Sequence, residues 1–450
     1  MITNKIEYSA PCFGTDGIRG KFGSYPITED FFSVVASAFA QFIKQDVKTP
    51  KFLIAKDTRE SCDILEKALI AGLVSHGVEV HLVGVIPTPG ASYLINKRFD
   101  AGIVITASHN QHTDNGLKFF NAKGQKLSPS EERRIQNYID TKDNSSEAYD
   151  APGTVIYAWK LRAKYYEYCK TTVSKGLWLA KVKVVIDCAN GSGWQMLQQI
   201  LKDLGATVIK IGCSPNGTNI NDRVGSTHPN KLQTSVVQHK AHIGIALDGD
   251  ADRVILIDRN GGIINGDGIL YILSQANMHQ DASIVSTKMS NIGFEKSLEA
   301  LGIRLVRTDV GDKFVEEALQ KNNWHLGGEP SGHIIIRKFG NTGDGIITAL
   351  QVLQVMRKTK KSLIQLLENC CYFPQILNNL PLKRALLDKH FLKIAKVTMA
   401  VQDQLGDRGR ILVRPSGTEN LLRVMSECKD VALTESTQKD LLAKLSEVLG

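Results

Sequence analysis

Short apolar runs punctuate the first two thirds of the chain, and they recur in a fixed order. Lys51–Ala55 opens the first group, a helical stretch follows, then His76-Gly77-Val78-Glu79-Val80, then Gly102–Ile105. The second group has Val182–Ile186, Leu204-Gly205-Ala206-Thr207-Val208 and Ile243–Leu247. The third has Ser283–Ser286, Leu301-Gly302-Ile303-Arg304-Leu305 and a shorter run around Leu326. Each x-Gly-x-x-apolar element reads as a helix C-cap leading into a strand. Strand, helix, strand with short connections predicts α/β layers, and the threefold echo predicts three related domains.

Local signals set the boundaries. Ser128-Pro129-Ser130-Glu131 offers an N-cap, a proline at the first helical position and a capping-box glutamate, so a helix should run from there to about Asp140. Thr141 to Gly153 is polar and turn-rich, as a linker would be. Asp258-Arg259-Asn260-Gly261 reads as a hairpin turn between Val254–Ile257 and Ile263–Ile264. Past Gln365 the pattern changes. A helical run from Leu386, strand-loop-strand from Ile411 to Ser426 and a terminal amphipathic helix describe a smaller α+β domain. The expected domains are residues 1–145, 155–255, 256–366 and 372–450.

Composition narrows the function classes. With 450 residues, 42% hydrophobic and 22% charged, the chain is neither disordered nor fibrous. Its most apolar stretch, Phe31 to Ile43, is interrupted by Ser33, Ser37 and Gln41 and is too short for a membrane span. No basic segment leads into an apolar core at the N-terminus, so a cytoplasmic protein is expected. The net charge of +9 comes without a basic block or aromatic-interleaved patch, which favours a small anionic substrate over nucleic acid. Eight cysteines form no CxxC pair or regular framework and read as reduced, structural thiols.

The chemistry gathers just after the last strand of each group. Ligands of open α/β sheets bind beyond the carboxyl ends of strands. After Ile105 comes Thr106-Ala107-Ser108-His109-Asn110, after Leu247 Asp248-Gly249-Asp250-Ala251-Asp252-Arg253, and after Leu326 Gly327-Gly328-Glu329-Pro330-Ser331-Gly332-His333. Alternating carboxylates with small residues between them can converge on a hard cation, and Mg²⁺ suits phosphate chemistry. An EF-hand is excluded because Arg253-Val254-Ile255 resumes a strand. Ser108 beside a bound cation is a credible phosphate carrier, whereas a Ser-His-Asp hydrolase lacks a G-x-S-x-G elbow. Arg414-Pro415-Ser416-Gly417-Thr418-Glu419, between two strands, offers a guanidinium, two hydroxyls and backbone N–H groups to a phosphate dianion. Asn190-Gly191-Ser192-Gly193 lacks the P-loop lysine and reads as a tight strand-helix turn. The pairs His109/His112 and His239/His242 lack a third ligand, so zinc is not expected. Together these parts describe phosphoryl transfer.

With these motifs the chain resembles the α-D-phosphohexomutases along its whole length. Phe13-Gly14-Thr15-Asp16-Gly17-Ile18-Arg19-Gly20 is similar to their opening signature. Thr106–Asn110 with Asp114-Asn115-Gly116-Leu117-Lys118 resembles the phosphoserine loop, and Asp248–Arg253 the magnesium loop. Gly328–His333 is similar to the sugar loop and Arg414–Glu419 to the phosphate loop. The resemblance implies three related α/β domains with mixed sheets and a smaller C-terminal α+β domain, arranged around a central active-site cleft. It implies a mutase interconverting glucosamine 6-phosphate and glucosamine 1-phosphate, through phosphorylated Ser108 and glucosamine 1,6-bisphosphate. One Mg²⁺ would be held by Ser108, Asp248, Asp250 and Asp252. Arg19 and Lys118 would line the reacting phosphate, with Lys118 or His109 moving the proton. Glu329, Ser331, His333, Arg253, Arg414, Ser416, Gly417 and Thr418 would bind substrate. The implied partner is a small sugar phosphate rather than nucleic acid or membrane, and a homodimer stays open. The alternatives are a mutase for neutral hexose phosphates and a non-catalytic sugar-phosphate-binding protein.

Overall fold

The computed structural model describes residues 12–14, 16–141, 151–276, 283–382, 388–415 and 421–449. Four sheets account for the strands among them. The first contains β1 (Ile18–Lys21), β2 (Lys51–Lys56), β3 (Glu79–Val85), β4 (Ala101–Ile105), β5 (Asp114–Asn121) and β6 (Thr154–Tyr157), in the order β1-β5-β4-β2-β3-β6. The second contains β7 (Lys183–Asp187), β8 (Thr207–Ile211), β9 (Ile243–Leu247), β10 (Val254–Asp258) and β11 (Ile263–Ile264), in the order β11-β10-β9-β7-β8. The third contains β12 (Ser283–Thr287), β13 (Arg304–Thr308), β14 (Leu326–Gly328) and β15 (Ile334–Ile336), in the order β13-β12-β14-β15.

One wiring underlies all three. The central order β5-β4-β2-β3 is repeated as β10-β9-β7-β8 and as β15-β14-β12-β13. In each, a parallel strand (β4, β9 or β14) is followed by an antiparallel neighbour. The sheets are therefore mixed, and the three expected chemical loops are the three connections at which strand direction reverses. The parallel strands are buried on both faces: all five residues of β4, β9 and β12 are inaccessible or nearly so. The helix C-cap reading also holds. Gly77, Gly205 and Gly302 have φ of +69°, +87° and +74°, a region that disfavours side chains.

Helix ends follow their local chemistry. Ser128 and Glu131 form the expected reciprocal cap of Pro129–Thr141: the Ser128 N–H donates to Glu131 Oε2 at 2.6 Å, and the Glu131 N–H to Ser128 Oγ at 3.3 Å. Asp344 caps Gly345–Thr359 by accepting from the Ile347 N–H at 2.9 Å. Around the first sheet, Phe31, Phe32, Phe39, Phe52 and Leu69 form a continuous apolar core.

The chain divides into two compact units, Met1–Met289 with Leu305–Glu368, and Ser290–Arg304 with Asn369–Gly450. The second unit contains the fourth sheet, the antiparallel β16 (Gln375–Pro381), β17 (Gly409–Pro415) and β18 (Leu421–Cys428) in the order β16-β18-β17. Ile394 and Val401 of the helix Asp388–Leu405 and Leu441 and Leu445 of the helix Val431–Leu449 pack on Leu422 and Val424 of that sheet. No helix among the described residues is long and apolar enough to cross a membrane.

Candidate active site

Ser108 lies three residues past β4, fully buried, with φ +51°. That left-handed backbone turns its hydroxyl toward the second sheet: Ser108 Oγ donates to Asp248 Oδ2 at 2.7 Å and lies 3.3 Å from His109 Nδ1. Asp248, Asp250 and Asp252 follow β9, all buried, and can bring one carboxylate oxygen each within 4.8 Å of the others. The small residues between them are required by space. A Cβ on Gly249 would stand 2.5 Å from the Ser108 carbonyl oxygen, and Ala251 has φ +60°.

Buried carboxylates so close together need a cation. Burial, then Asp252 and Asp250, push the Asp248 carboxyl well above its ordinary range. Lys118 of β5 supplies part of the compensation, with Nζ 2.8 Å from Asp250 Oδ2, 2.7 Å from Asp252 Oδ2 and 3.2 Å from Asp16 Oδ2. Burial alone would lower the Lys118 pKa; Asp16, Asp250 and Asp252 outweigh it and hold it well above the usual lysine value. Thr88 adds its hydroxyl to Asp250 Oδ2 at 2.5 Å. The Oδ1 atoms of Asp250 and Asp252 remain buried without a hydrogen-bond partner. An all-oxygen donor set with two buried carboxylate oxygens that accept no hydrogen bond fits a hard divalent cation such as Mg²⁺.

Two guanidinium groups stand near this cluster. Arg19 of β1 pairs with Asp16, and Arg253, whose N–H donates to Asp248 Oδ1 at 3.1 Å, has its Nε 3.9 Å from Asp252 Oδ1. The Nε of each is buried without a hydrogen bond. His109 lies among them. Burial, then Arg253 and Arg19, lower its pKa to about 4, so its ring is neutral near pH 7.

From the third sheet, the loop after β14 turns back through the Gly332 N–H to Glu329 carbonyl bond (2.9 Å) and the Glu329 N–H to His333 carbonyl bond (3.0 Å). Glu329 is buried, and its Oε1 accepts from the Gly311 N–H at 3.2 Å; Ser331 is exposed. His333 is 2% exposed, with Nδ1 3.7 Å from Asp252 Oδ1 and Nε2 accepting from the Gly343 N–H at 3.0 Å. That N–H fixes the ring proton on Nδ1, facing the metal loop. His333 thus sets the loop after β14 beside the Asp loop.

The site residues of the first three loops, with Arg19, Lys118 and Arg253, come together in this unit. Arg414 belongs to the other unit, at the end of β17, in register with Arg423 of β18. Ser416, Gly417 and Thr418 lie outside the described residues. Sequence reasoning missed Asp16, Thr88, Lys126 and Asp312. Lys126 bridges Asp16 and Asp312, and the three are largely shielded from solvent. Asp16 was legible inside the opening motif; a lone threonine and lysine carry no such signal.

Residues 10–146, 163–262 and 265–372 match the alpha/beta/alpha domains I, II and III of phosphoglucomutase/phosphomannomutase, and 377–444 its C-terminal domain. The phosphoglucosamine mutase of a Psychrobacter species is 43% identical, over 97% of this chain and 99% of its own length. That of Methylibium petroleiphilum is 44% identical, over 94% and 96%. Among solved structures, a phosphoglucomutase/phosphomannomutase family protein of Burkholderia thailandensis superposes with TM-score 0.81 at 22% identity, covering 97% of both chains. N-acetylphosphoglucosamine mutase of Aspergillus fumigatus, solved with GlcNAc-6P and magnesium, gives 0.69 at 17% identity, over 97% and 96%. Matched through all four domains and by relatives at 43–44% identity, the chain belongs to the phosphoglucomutase/phosphomannomutase family of phosphohexomutases.

Proposed function

We propose that the chain interconverts glucosamine 6-phosphate and glucosamine 1-phosphate, as a cytoplasmic enzyme of the four domains read from its sequence. One observation carries the chemistry: a buried serine hydroxyl 2.7 Å from the first carboxylate of a cation-binding triad. The relatives named phosphoglucosamine mutase support the amino sugar over the neutral-hexose alternative.

Phosphorylated Ser108 gives its phosphoryl group to the O1 hydroxyl of glucosamine 6-phosphate: the Ser108 Oγ–P bond breaks and the O1–P bond forms. The 1,6-bisphosphate turns over and returns its 6-phosphoryl group to Ser108, releasing glucosamine 1-phosphate. Mg²⁺, bound by Asp248, Asp250, Asp252 and the phosphate on Ser108, would neutralise charge on the transferring group. Arg19 and Arg253 turn their guanidinium groups to the same phosphoryl oxygens. Lys118, held cationic by three carboxylates, stays an electrostatic partner. That leaves His109 to take the O1 proton at its neutral ring and pass it to Ser108 Oγ, 3.3 Å from Nδ1, as the Oγ–P bond breaks; on the return the Oγ proton goes by the same ring to the sugar O6 as the O6–P bond breaks. Phosphate beside Arg19 and Arg253 offsets the two charges that depress its pKa. Glu329 and Ser331 hold the sugar hydroxyls, with His333 bracing their loop. Arg414, with Ser416, Gly417 and Thr418, holds the phosphate that is not reacting.

The test is glucosamine 1-phosphate formation with Mg²⁺ and catalytic glucosamine 1,6-bisphosphate, run beside glucose and mannose phosphates. Intact mass should show one phosphate on Ser108 that exchanges with substrate. Equal or faster turnover of a neutral hexose phosphate would favour the alternative, and no turnover of any would leave a binding protein.

A further inference from the structure

Ser108 is gripped by its backbone as well as by its hydroxyl. Arg59, in the turn after β2, is buried with its side chain wholly inaccessible, and five hydrogen bonds leave its guanidinium. Nε meets Asp57 Oδ2 at 2.9 Å. Nη2 donates to the carbonyls of Ser108 (3.2 Å) and Asn110 (2.8 Å), and Nη1 to those of Asp114 (3.0 Å) and Gln111. From the second sheet's side, Asn221 donates its Nδ2 to the same two carbonyls, Ser108 and Asn110, at 2.8 Å each. The other end of the Ser108 residue is tied to the same pair. Its N–H donates to Thr106 Oγ1 at 2.9 Å, and that hydroxyl donates to Asp57 Oδ2 at 2.7 Å.

Asp57 and Arg59 therefore fix both peptide groups that flank the Ser108 α-carbon. A serine at φ +51° is in a disfavoured conformation, which persists only where the surroundings over-determine it. Rotating back toward φ below zero would take the Ser108 carbonyl off both donors and swing Oγ away from Asp248.

We infer that Arg59, anchored on Asp57, and Asn221 are positioning residues for the phosphoryl-transfer step, holding Ser108 in its left-handed conformation so that Oγ faces the Asp248 loop. The inference rests on the phosphoserine reading above and extends it to residues that touch neither substrate nor cation.

The test uses the full chain with Arg59→Lys, which keeps a charge opposite Asp57 but loses the fork, and Asn221→Gly, which tolerates the φ of +56° at that position. Thermal midpoint, kcat and KM for glucosamine 6-phosphate, and phosphate on Ser108 by intact mass, are read for each variant. The expected result is a folded protein with kcat down about ten- to a hundredfold and KM within about threefold. The double variant should lose less than the product of the two single losses, because both side chains hold the same carbonyls. A structural role alone would lower the midpoint and leave kcat per folded molecule unchanged. Wild-type kcat in either folded variant overturns the inference, and Asn221→Gly decides it if Arg59→Lys does not fold. Ser108→Ala run alongside separates the two readings. Turnover surviving in it overturns the phosphoserine reading and this inference with it. A dead Ser108→Ala beside an unimpaired Arg59→Lys overturns this inference alone.

Discussion

The Lys118 ammonium stands 2.7 Å from Asp252 Oδ2, both side chains almost fully buried. It balances the Asp cluster on the Oδ2 side, and Asp250 Oδ1, buried without a hydrogen-bond partner, is left for a metal ion. Lys118→Met should therefore lose on the order of 3–5 kcal/mol of stability, the cost of breaking a buried pair. Mg²⁺ should restore more of that loss than it adds to the wild type. Thermal melts with and without Mg²⁺ check this; equal Mg²⁺ shifts in both proteins would contradict it.

Asp250→Asn removes one of three anionic ligands while keeping an acceptor for Thr88. Mg²⁺ affinity, titrated on phosphorylated protein, should fall by more than the about ten- to hundredfold that loss of an outer partner costs. Turnover should collapse with it. Unaltered affinity would move the metal site elsewhere.

Ser108→Ala should remove the phosphoryl carrier and leave the fold, since the side chain contributes only the contacts to Asp248 and His109 and little packing. The thermal midpoint should stay near wild type while turnover vanishes. Wild-type turnover in this variant is the contrary result.

Arg414 faces Arg423 across the β17–β18 pair, and burial and Arg423 lower its pKa. Like charges directly opposite are unfavourable until an anion lies between them. Arg414→Ala should cost about ten- to a hundredfold in kcat/KM, part of it in kcat, because remote binding positions the reacting group. Mg²⁺ affinity should be unchanged. No loss on 6-phosphate, 1-phosphate or 1,6-bisphosphate sugars would reduce the loop to a turn.

Burial raises the pKa of Asp344, which accepts from Tyr165 at 2.7 Å, to about 6. The folded state then holds this proton more tightly than the unfolded chain does. Its contribution to stability is present below the unfolded value and is lost as pH rises through about 6. Asp344→Asn keeps the helix cap and has no proton to lose. Relative to that variant, the wild type should lose on the order of 2–3 kcal/mol between pH 4 and pH 7 in urea titrations. A difference independent of pH would contradict this.

What was legible from the residues was whatever is local. The helix-cap glycines, the Ser128 cap, the three strand-end loops and the alternating aspartates each carry their signal within a few positions. What was not legible is pairing at a distance. Nothing near Lys118 says that it spans to Asp250 and Asp252, 132 and 134 residues away. Arg59 looks like any charged residue between a strand and a helix until the sheet brings β2 beside β4. His333 reads as a sugar ligand in its motif, and only the fold turns its ring to Asp252.

Each of the three site loops leaves and re-enters its sheet through strands bonded to each other, at Ile105 and Leu117, Leu247 and Val254, and Gly328 and Ile334. The ladder fixes the loop ends, so residues between them can change, apart from tightly placed ones such as Gly249 and Gly332, without shifting a strand by one register. On the proposed assignment of Glu329–His333 to the sugar, substrate choice and strand register would be written in separate stretches of the chain. Replacing Glu329–His333 with the matching five residues of a neutral-hexose relative should transfer sugar preference while leaving the unfolding midpoint in place.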